Sequence, residues 1–288
     1  MQNNENNEIV IIRGGGDLAT GVVQKFYRTG FRVLILETAA PTAIRRSVAL
    51  CEAVYDGPVT VEDISCRKIG IISEAEVCWK EGVVPLLIDP EGKSICEIKP
   101  EAVIDAIIAK RNLGTTIDMA EVTIALGPGF NAGVDVNAVI ETKRGHDLGR
   151  IILNGYAEPD TGIPGEIAGE STRRVIHAPA DGVIRHIKNI GDIVDQGEPL
   201  FMVDNIKSGG AGAKSIKVQA QMNGLLRGLI RDGIQVHKGM KIADIDPRTD
   251  INWRTISDKA RCLGGAALEA YLFLREKGEG RREKGEGC

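Results

Sequence analysis

Residues Ile9–Gly21 read IVIIRGGGDLATG. The apolar run predicts a short buried strand and the three glycines a tight turn. Asp17 then predicts the cap of a helix whose inward face carries Leu18, Val22 and Phe26. Gly30 ends that helix. Arg32–Leu36 reads as a second buried strand, closed by Glu37. Strand, helix, strand in this order implies a parallel pair with a right-handed crossover. Further strands are predicted at Ile69–Ile72, Val84–Ile88, Val122–Leu126, Val136–Ile140 and Ile151–Leu153. Pro100–Lys110 reads as a helix with Val103, Ile107 and Ile108 inward. The pattern is α/β, with a Rossmann-like ligand-binding domain over residues 1–165.

Beyond the segment DTGIPGEIAGES the character changes, and PDTGIPG (Pro159–Gly165) reads as a linker. From His177 to Pro247 there are short strands and regular glycines with no helical period. Ala178–Asp204 aligns without gaps on Ala220–Asp246 at an offset of 42, with seven identities that include Gly182/Gly224, Arg185/Arg227 and Asp204/Asp246. Each half reads as three strands, and two such halves must pair to bury one face each. Thr255-x-x-Asp258 reads as a capping-box variant opening a C-terminal helix over 255–276. The charged, Gly-rich tail 277–288 is expected to be disordered.

The chain has 288 residues, room for two domains. A net charge of -4 offers no broad basic field, which argues against a nucleic-acid partner. No apolar run approaches the roughly 18 residues of a membrane span. The polar start MQNNENNE lacks the features of a signal peptide, so a cytoplasmic location without membrane partners is expected. The six cysteines form no Cys-x-x-Cys pair and none stands at zinc-ligand spacing from a histidine, so they read as reduced thiols and no metal site is assigned.

Gly14-x-Gly16-x-x-Ala19 is a permitted form of the dinucleotide fingerprint. Its glycines, Gly15 among them, allow close approach of a pyrophosphate to a helix start. Glu37 lies 21 residues after Gly16, where a carboxylate meets a ribose hydroxyl. Thr20 offers a hydroxyl to a phosphate. Asp17 departs from the pattern because it would repel one; it serves instead as a helix cap or holds a metal or an amine. A different small ligand and a purely structural turn stay open. The second constellation is Gly127–Gly149, where Gly127, Gly129, Phe130 and Asn131 follow a buried strand. Arg144 and Lys143 there suit a phosphate or carboxylate, and His146 suits proton movement. Its alternative is a solvated loop whose charges pair with one another. Lys110-Arg111-Asn112 with Gly114-Thr115-Thr116 is a third cluster, equally a helix C-terminus in good dipole order. No catalytic roles are assigned, because no nucleophile–base order is evident.

The segments RGGGDLATGV, IRRSVALCEAVYDG, AKRNLGTTIDMA, ALGPGFNAGVDVNAVIETKRGHDLGRI, TGIPG, RGLIRDG and ISDKARCLGGAALEA together resemble the YqeB family. The resemblance covers about Glu8 to Leu274. It implies an accessory protein for maturation of selenium-dependent molybdenum hydroxylases, with a molybdenum hydroxylase client enzyme as partner. The implied ligand is a nucleotide or a nucleotide-bearing molybdenum cofactor. Asn137 stands where that family leads us to expect histidine. The repeat segment, 175–248, is similar to a barrel-sandwich domain of the biotinyl/lipoyl kind; its connector offers Lys207, Lys214 and Lys217 outside the usual modification settings. Two rival readings stand beside the accessory role: an NAD(P)-dependent oxidoreductase, and a non-catalytic adaptor docking the client enzyme. Assembly into a homo-oligomer is left open.

Overall fold

The computed structural model describes residues 7–163, 165–204 and 215–285, with side chains through residue 276. The chain divides into two compact units. The first comprises Met1–Pro41, Val48–Asp160 and Ile256–Cys288; the second comprises Thr42–Ser47 and Thr161–Thr255.

The first unit opens with β1 (Ile9–Arg13), α1 (Asp17–Arg28) and β2 (Arg32–Glu37). A short helix α2 (Ala53–Asp56) leads to β3 (Val59–Val61), β4 (Ile64–Ile69), α3 (Ala75–Lys80) and β5 (Val84–Ile88). Then come α4 (Ile95–Ile98), β6 (Ala102–Asp105), β7 (Val122–Leu126), β8 (Asn131–Ala132), β9 (Ala138–Ile140), β10 (Ile151–Ile152) and β11 (Gly155–Tyr156). Nine of these strands make one sheet, ordered β10-β9-β7-β6-β1-β2-β5-β4-β3. The seven inner strands pair in parallel, and the outermost, β3 and β10, pair antiparallel.

This topology corrects the expected fold class. The unit is α/β with a large mixed sheet, not the Rossmann-like domain that was to be joined to a biotinyl-type barrel-sandwich. Strands and crossover helices do not alternate throughout: the connections β6–β7 and β7–β9 carry no α-helix. The face they leave bare is covered from the far end of the sequence by α5 (Asp258–Gly285), whose Ala260, Leu263, Ala267, Ala270 and Tyr271 join Ile124, Leu126 and Ile140 in the main core. Pro100–Lys110 is also corrected. It is not a helix but contains β6, all four of whose residues are buried between β1 and β7. A short apolar run buried on both faces has the same composition as a buried helical turn, so periodicity alone does not separate them.

Helix α5 begins at Asp258, not Thr255, whose hydroxyl donates to the Asn252 carbonyl; the Ser257 hydroxyl instead accepts from Ala260 N at 3.2 Å. It runs to Gly285, so most of the expected disordered tail is helical. Its Glu, Lys and Arg residues are good helix formers that offset glycines costing about 1 kcal/mol each. Helices α1 and α5 meet at glycines. A Cβ on Gly21 would stand 2.3 Å from the Ala260 carbonyl oxygen, and one on Gly264 would stand 2.2 Å from that of Gly21.

The second unit holds β12 (Val175–His177), β13 (Gly182–His186), β14 (Ile193–Val194), β15 (Pro199–Asp204), β16 (Ser215–Gln219), β17 (Gly224–Leu229), β18 (Gln235–Val236) and β19 (Lys241–Asp246). They form two four-stranded antiparallel sheets, β12-β19-β17-β14 and β16-β15-β13-β18. Moving each strand by 42 residues converts the first order into the second. The identical pair Arg/Asp of the repeat is exposed in one half, as Arg185–Asp204, and largely buried in the other, as Arg227–Asp246. Lys217 lies on β16; Lys207 and Lys214 lie outside the described residues. Segment Thr42–Ser47 reaches this unit from between β2 and α2. The Ile44 carbonyl accepts from Leu229 N at 2.9 Å and Arg46 Nε donates to the Leu229 carbonyl at 2.8 Å.

Candidate functional site

Strand register aligns the carboxyl ends of the parallel strands. Arg13 pairs with Leu36 and with Asp105, Asp105 with Ala125, and Leu126 with Ile140. The Gly14–Gly16 turn and the Gly127–Phe130 turn therefore lie on one sheet edge, two strands and so about 10 Å apart. The chain leaves β1 for β2 over one face through α1. It returns past β1 to β6 over the other, where Ile95 and Ile98 pack. Ligands of open α/β sheets gather at the carboxyl edge where such a reversal occurs.

The turn itself is gripped on three sides. Gly14 N donates to the Leu36 carbonyl at 2.8 Å, Gly15 N donates to Glu37 Oε2 at 2.8 Å, and Cys51 N donates to the Gly15 carbonyl at 2.8 Å. Gly14 has φ +94°, and a Cβ there would stand 3.0 Å from Ile107 Cα. Gly129 has φ +107° and is approached by the backbone of Arg111, whose Cα would lie 2.5 Å from a Cβ. The loop after β6 thus wedges between the two glycine turns. It does so through two left-handed non-glycine residues, Ile108 (φ +60°) and Lys110 (φ +61°). A β-branched residue there is strained, and such strain collects at functional sites.

Gly16 is the open member. It is the residue before the 12-residue helix α1, its φ is -66°, and a Cβ on it would meet no heavy atom within 4 Å. No side chain caps the α1 N-terminus, so the expected Asp17 cap is corrected: Asp17 is the first helical residue. Ala19 is buried. Thr20 is corrected as a phosphate ligand. It is fully buried, donates to the Gly16 carbonyl at 2.9 Å and accepts from Leu50 N at 3.1 Å. Glu37 accepts from Thr38 N at 2.7 Å as well as from Gly15, so it braces the turn. Burial pushes its carboxyl above the usual range against those two N–H groups, which act to lower it. Burial likewise raises the Cys51 thiol well above its ordinary value, with Glu37, Glu52 and Asp17 adding to the effect. Cys51 is therefore an inert thiol in an acidic setting.

The second constellation does not come together as one site. Phe130 is core, packed with Ala125, Ala132, Val136 and Val139. Asn131 pairs with Tyr156 between β8 and β11. Arg144 makes a two-pronged ion pair with Asp258 at 3.0 and 3.1 Å. Lys143 faces Glu158 at 3.6 Å, and His146 is exposed. Gly127 N donates to the Ile140 carbonyl at 2.9 Å. In the third cluster Lys110 pairs with Asp160 at 2.5 Å, and the Asn112 amide shapes the turn by accepting from Gly114 N and Thr115 N, both at 2.8 Å.

Two residues that sequence reading passed over, Arg13 and Asp105, hold this edge together with Thr115 of the third cluster. Arg13, 1% exposed, donates to Thr115 Oγ1 and to the Pro90 carbonyl at 2.8 Å. Thr115 in turn donates to Asp105 Oδ2 at 2.5 Å, and Arg13 stands 3.8 Å from that oxygen. Burial raises the Asp105 carboxyl despite the opposing pull of Thr115, Ile107 N and Arg13. Buried Glu141 accepts from Lys143 N at 2.7 Å and Glu158 N at 2.8 Å. The signal available in the sequence was position: Arg13 and Asp105 each end an apolar run. Among the described residues no group of three or more His, Cys, Asp or Glu is placed to hold a metal ion. Among them, too, no helix is long and apolar enough to cross a membrane.

No family model matches the chain. Over 273 residues it is 46% identical to YqeB, an uncharacterised protein of Escherichia coli (strain K12); the match covers 94% of this chain and 49% of that protein. The chain thus spans about half the length of the curated relative it matches. Among solved structures, the product-bound ectoine utilization protein EutE (DoeB) from Ruegeria pomeroyi is 10% identical, at TM-score 0.27, over 83% of this chain and 85% of that one. An aspartoacylase family protein from Mesorhizobium loti is 14% identical, at TM-score 0.27, over 84% and 85%. At these scores the structural likeness carries no conclusion about this chain.

Proposed function

We propose, on the premise that this chain is a YqeB-family sequence over about half of that relative's length, that it is an accessory protein in maturation of selenium-dependent molybdenum hydroxylases. In this reading it binds a nucleotide, or the nucleotide portion of a molybdenum cofactor, at the open Gly16 face. The selenium and molybdenum part of the reading rests on the motif resemblance. The binding part rests on one observation: Gly16 is open at an uncapped helix start, on the sheet edge where the chain reverses. The helix start offers N–H groups and partial positive charge. Hydride transfer has less support, because Glu37, the carboxylate that would meet the adenosine ribose of a nicotinamide dinucleotide, is turned back onto its own turn by the Gly15 and Thr38 N–H groups, and no nucleophile–base or proton-relay pair stands beside it in the sequence.

The test is a thermal-shift titration with CTP, ATP, NAD, NADP and a molybdenum cofactor preparation, on the wild type and on Gly16→Val. A ligand bound only by the folded state raises Tm. The φ of -66° and the open space around a Cβ leave room for a side chain, so Gly16→Val folds with an unliganded Tm within a few degrees of wild type, the loss of a good helix-capping residue being its cost, while the ligand shift is removed. A shift with NAD alone would replace the reading with the oxidoreductase. No shift with any ligand would leave the adaptor.

A further inference from the structure

The cations at the carboxyl edge of the main sheet are nearly all engaged by the protein's own acids. Arg13 is buried beside Asp105, Lys110 pairs with Asp160, Lys143 with Glu158 and Arg144 with Asp258. Arg111 differs. It is exposed, and among the described residues its guanidinium meets no hydrogen-bond, ion-pair or ring partner. Every other described arginine engages at least one partner.

The backbone of Arg111 is nonetheless fixed on every side. Lys110 before it is left-handed, at φ +61°, and bonds Asp160. Asn112 after it donates from its amide to the Thr115 carbonyl and accepts from Gly114 N and Thr115 N, each at 2.8 Å. The Leu113 carbonyl accepts from Arg13 at 3.4 Å. A Cβ on Gly129 would lie 2.5 Å from Arg111 Cα and 2.6 Å from its N, so the absent side chain of Gly129 is what admits the loop. Backbone strain of this kind collects at functional sites.

The placement fits a ligand. Ile107 closes on Gly14 and Arg111 closes on Gly129, so the loop spans the roughly 10 Å between the β1 and β7 turns. Acid stands on the Gly16 side, where Asp17 opens α1 and Glu37 braces Gly15. A phosphorylated ligand there needs a compensating cation farther along the edge. Arg111 is the cation in that place which no acid of the protein has taken.

We propose that Arg111 is a specificity-determining residue of the edge and that the ligand is a nucleotide with two phosphoryl groups on opposite sides of its ribose, one at the Gly16 helix start and the other on Arg111. The inference rests on the nucleotide reading of the Gly16 face and adds the second group. The planar fork of a guanidinium takes a phosphoryl group through two parallel N–H donors, which an ammonium does not.

The test is calorimetric titration of the full chain with AMP, CMP and the 3′,5′-bisphosphates of adenosine and cytidine, on wild type, Arg111→Gln, Arg111→Lys and Gly16→Val. Wild type should hold a bisphosphate at least about tenfold more tightly than the matching monophosphate. Arg111→Gln should bring that ratio to about one, and Arg111→Lys should restore part of it. Arg111 has no partner to lose, so the unliganded Tm of Arg111→Gln should match wild type and certify the fold. Gly16→Val should weaken both classes of probe. Equal affinity of wild type for mono- and bisphosphates, with both weakened by Gly16→Val, overturns the role of Arg111 and leaves the glycine-turn reading standing. A bisphosphate preference that survives in Arg111→Gln does the same. Binding that Gly16→Val does not weaken, or no binding of any of the four probes, overturns both.

Discussion

Replacing Gly264 by alanine and, separately, its neighbour Gly265 by alanine tests whether α1 and α5 are held by backbone-to-backbone contact. Both positions are inside α5, so both gain the same helical propensity, about 1 kcal/mol. They differ in space. A Cβ on Gly265 meets nothing within 4 Å, whereas one on Gly264 would lie 2.2 Å from the Gly21 carbonyl oxygen and 2.7 Å from its carbon. Ordinary contact begins near 3.4 Å, so the helices must part by more than 1 Å. Neither partner atom belongs to a flexible side chain. Overpacking of this kind costs about 1–3 kcal/mol, and parting the helices also loosens the core that α5 completes over β7 and β9. Gly264→Ala should therefore lose roughly 1–2 kcal/mol net while Gly265→Ala gains up to about 1. At about 2–4 °C per kcal/mol for a unit of this size, their melting temperatures should differ by roughly 5–10 °C. Urea denaturation on the same samples gives the free energies directly. If Gly264→Ala melts with or above Gly265→Ala, the close approach is not what joins the helices.

Two further outcomes follow from the sheet edge. Arg13→Met leaves Asp105 buried without its guanidinium and should cost about 3–5 kcal/mol in urea denaturation, a deficit that shrinks at lower pH as the carboxyl takes up a proton. Glu37 titrates higher folded than unfolded, so between 4.5 and its folded value the native state holds more protons and stability falls as pH rises. Glu37→Gln should flatten that slope in pH-dependent melts relative to wild type; an unchanged slope would mean the carboxyl is not buried as described.

The opening strand-helix-strand was legible because each signal is local: IVII, three glycines and RVLILE announce themselves within a few residues. The 42-residue offset was legible for the same reason, since identities at Gly and Asp mark equivalent turns. What escaped notice was set by distant partners. Ala102–Asp105 became a central strand because β1 and β7 flank it. The Gly127–His146 loop was dispersed because Asp258, over a hundred residues away, takes Arg144. Thr20 was mistaken for a ligand group because nothing in DLATG announces Leu50 N. Arg13, the group that ties the edge together, was passed over because a charged residue after IVII reads as the end of a strand. Only the sheet register reveals that it faces Asp105.

Helix α5 has a consequence for how the protein is made. The main sheet's apolar face over Ile124, Leu126 and Ile140 is closed by residues near the end of the chain, Ala260 to Tyr271. A ribosome adding about 5–20 residues per second therefore exposes that face for many seconds after β9 has emerged. During this interval the whole repeat unit is synthesised. The nascent sheet is then open to aggregation or to chaperones, and truncations that remove α5 should be lost to proteolysis rather than accumulate as a smaller folded domain.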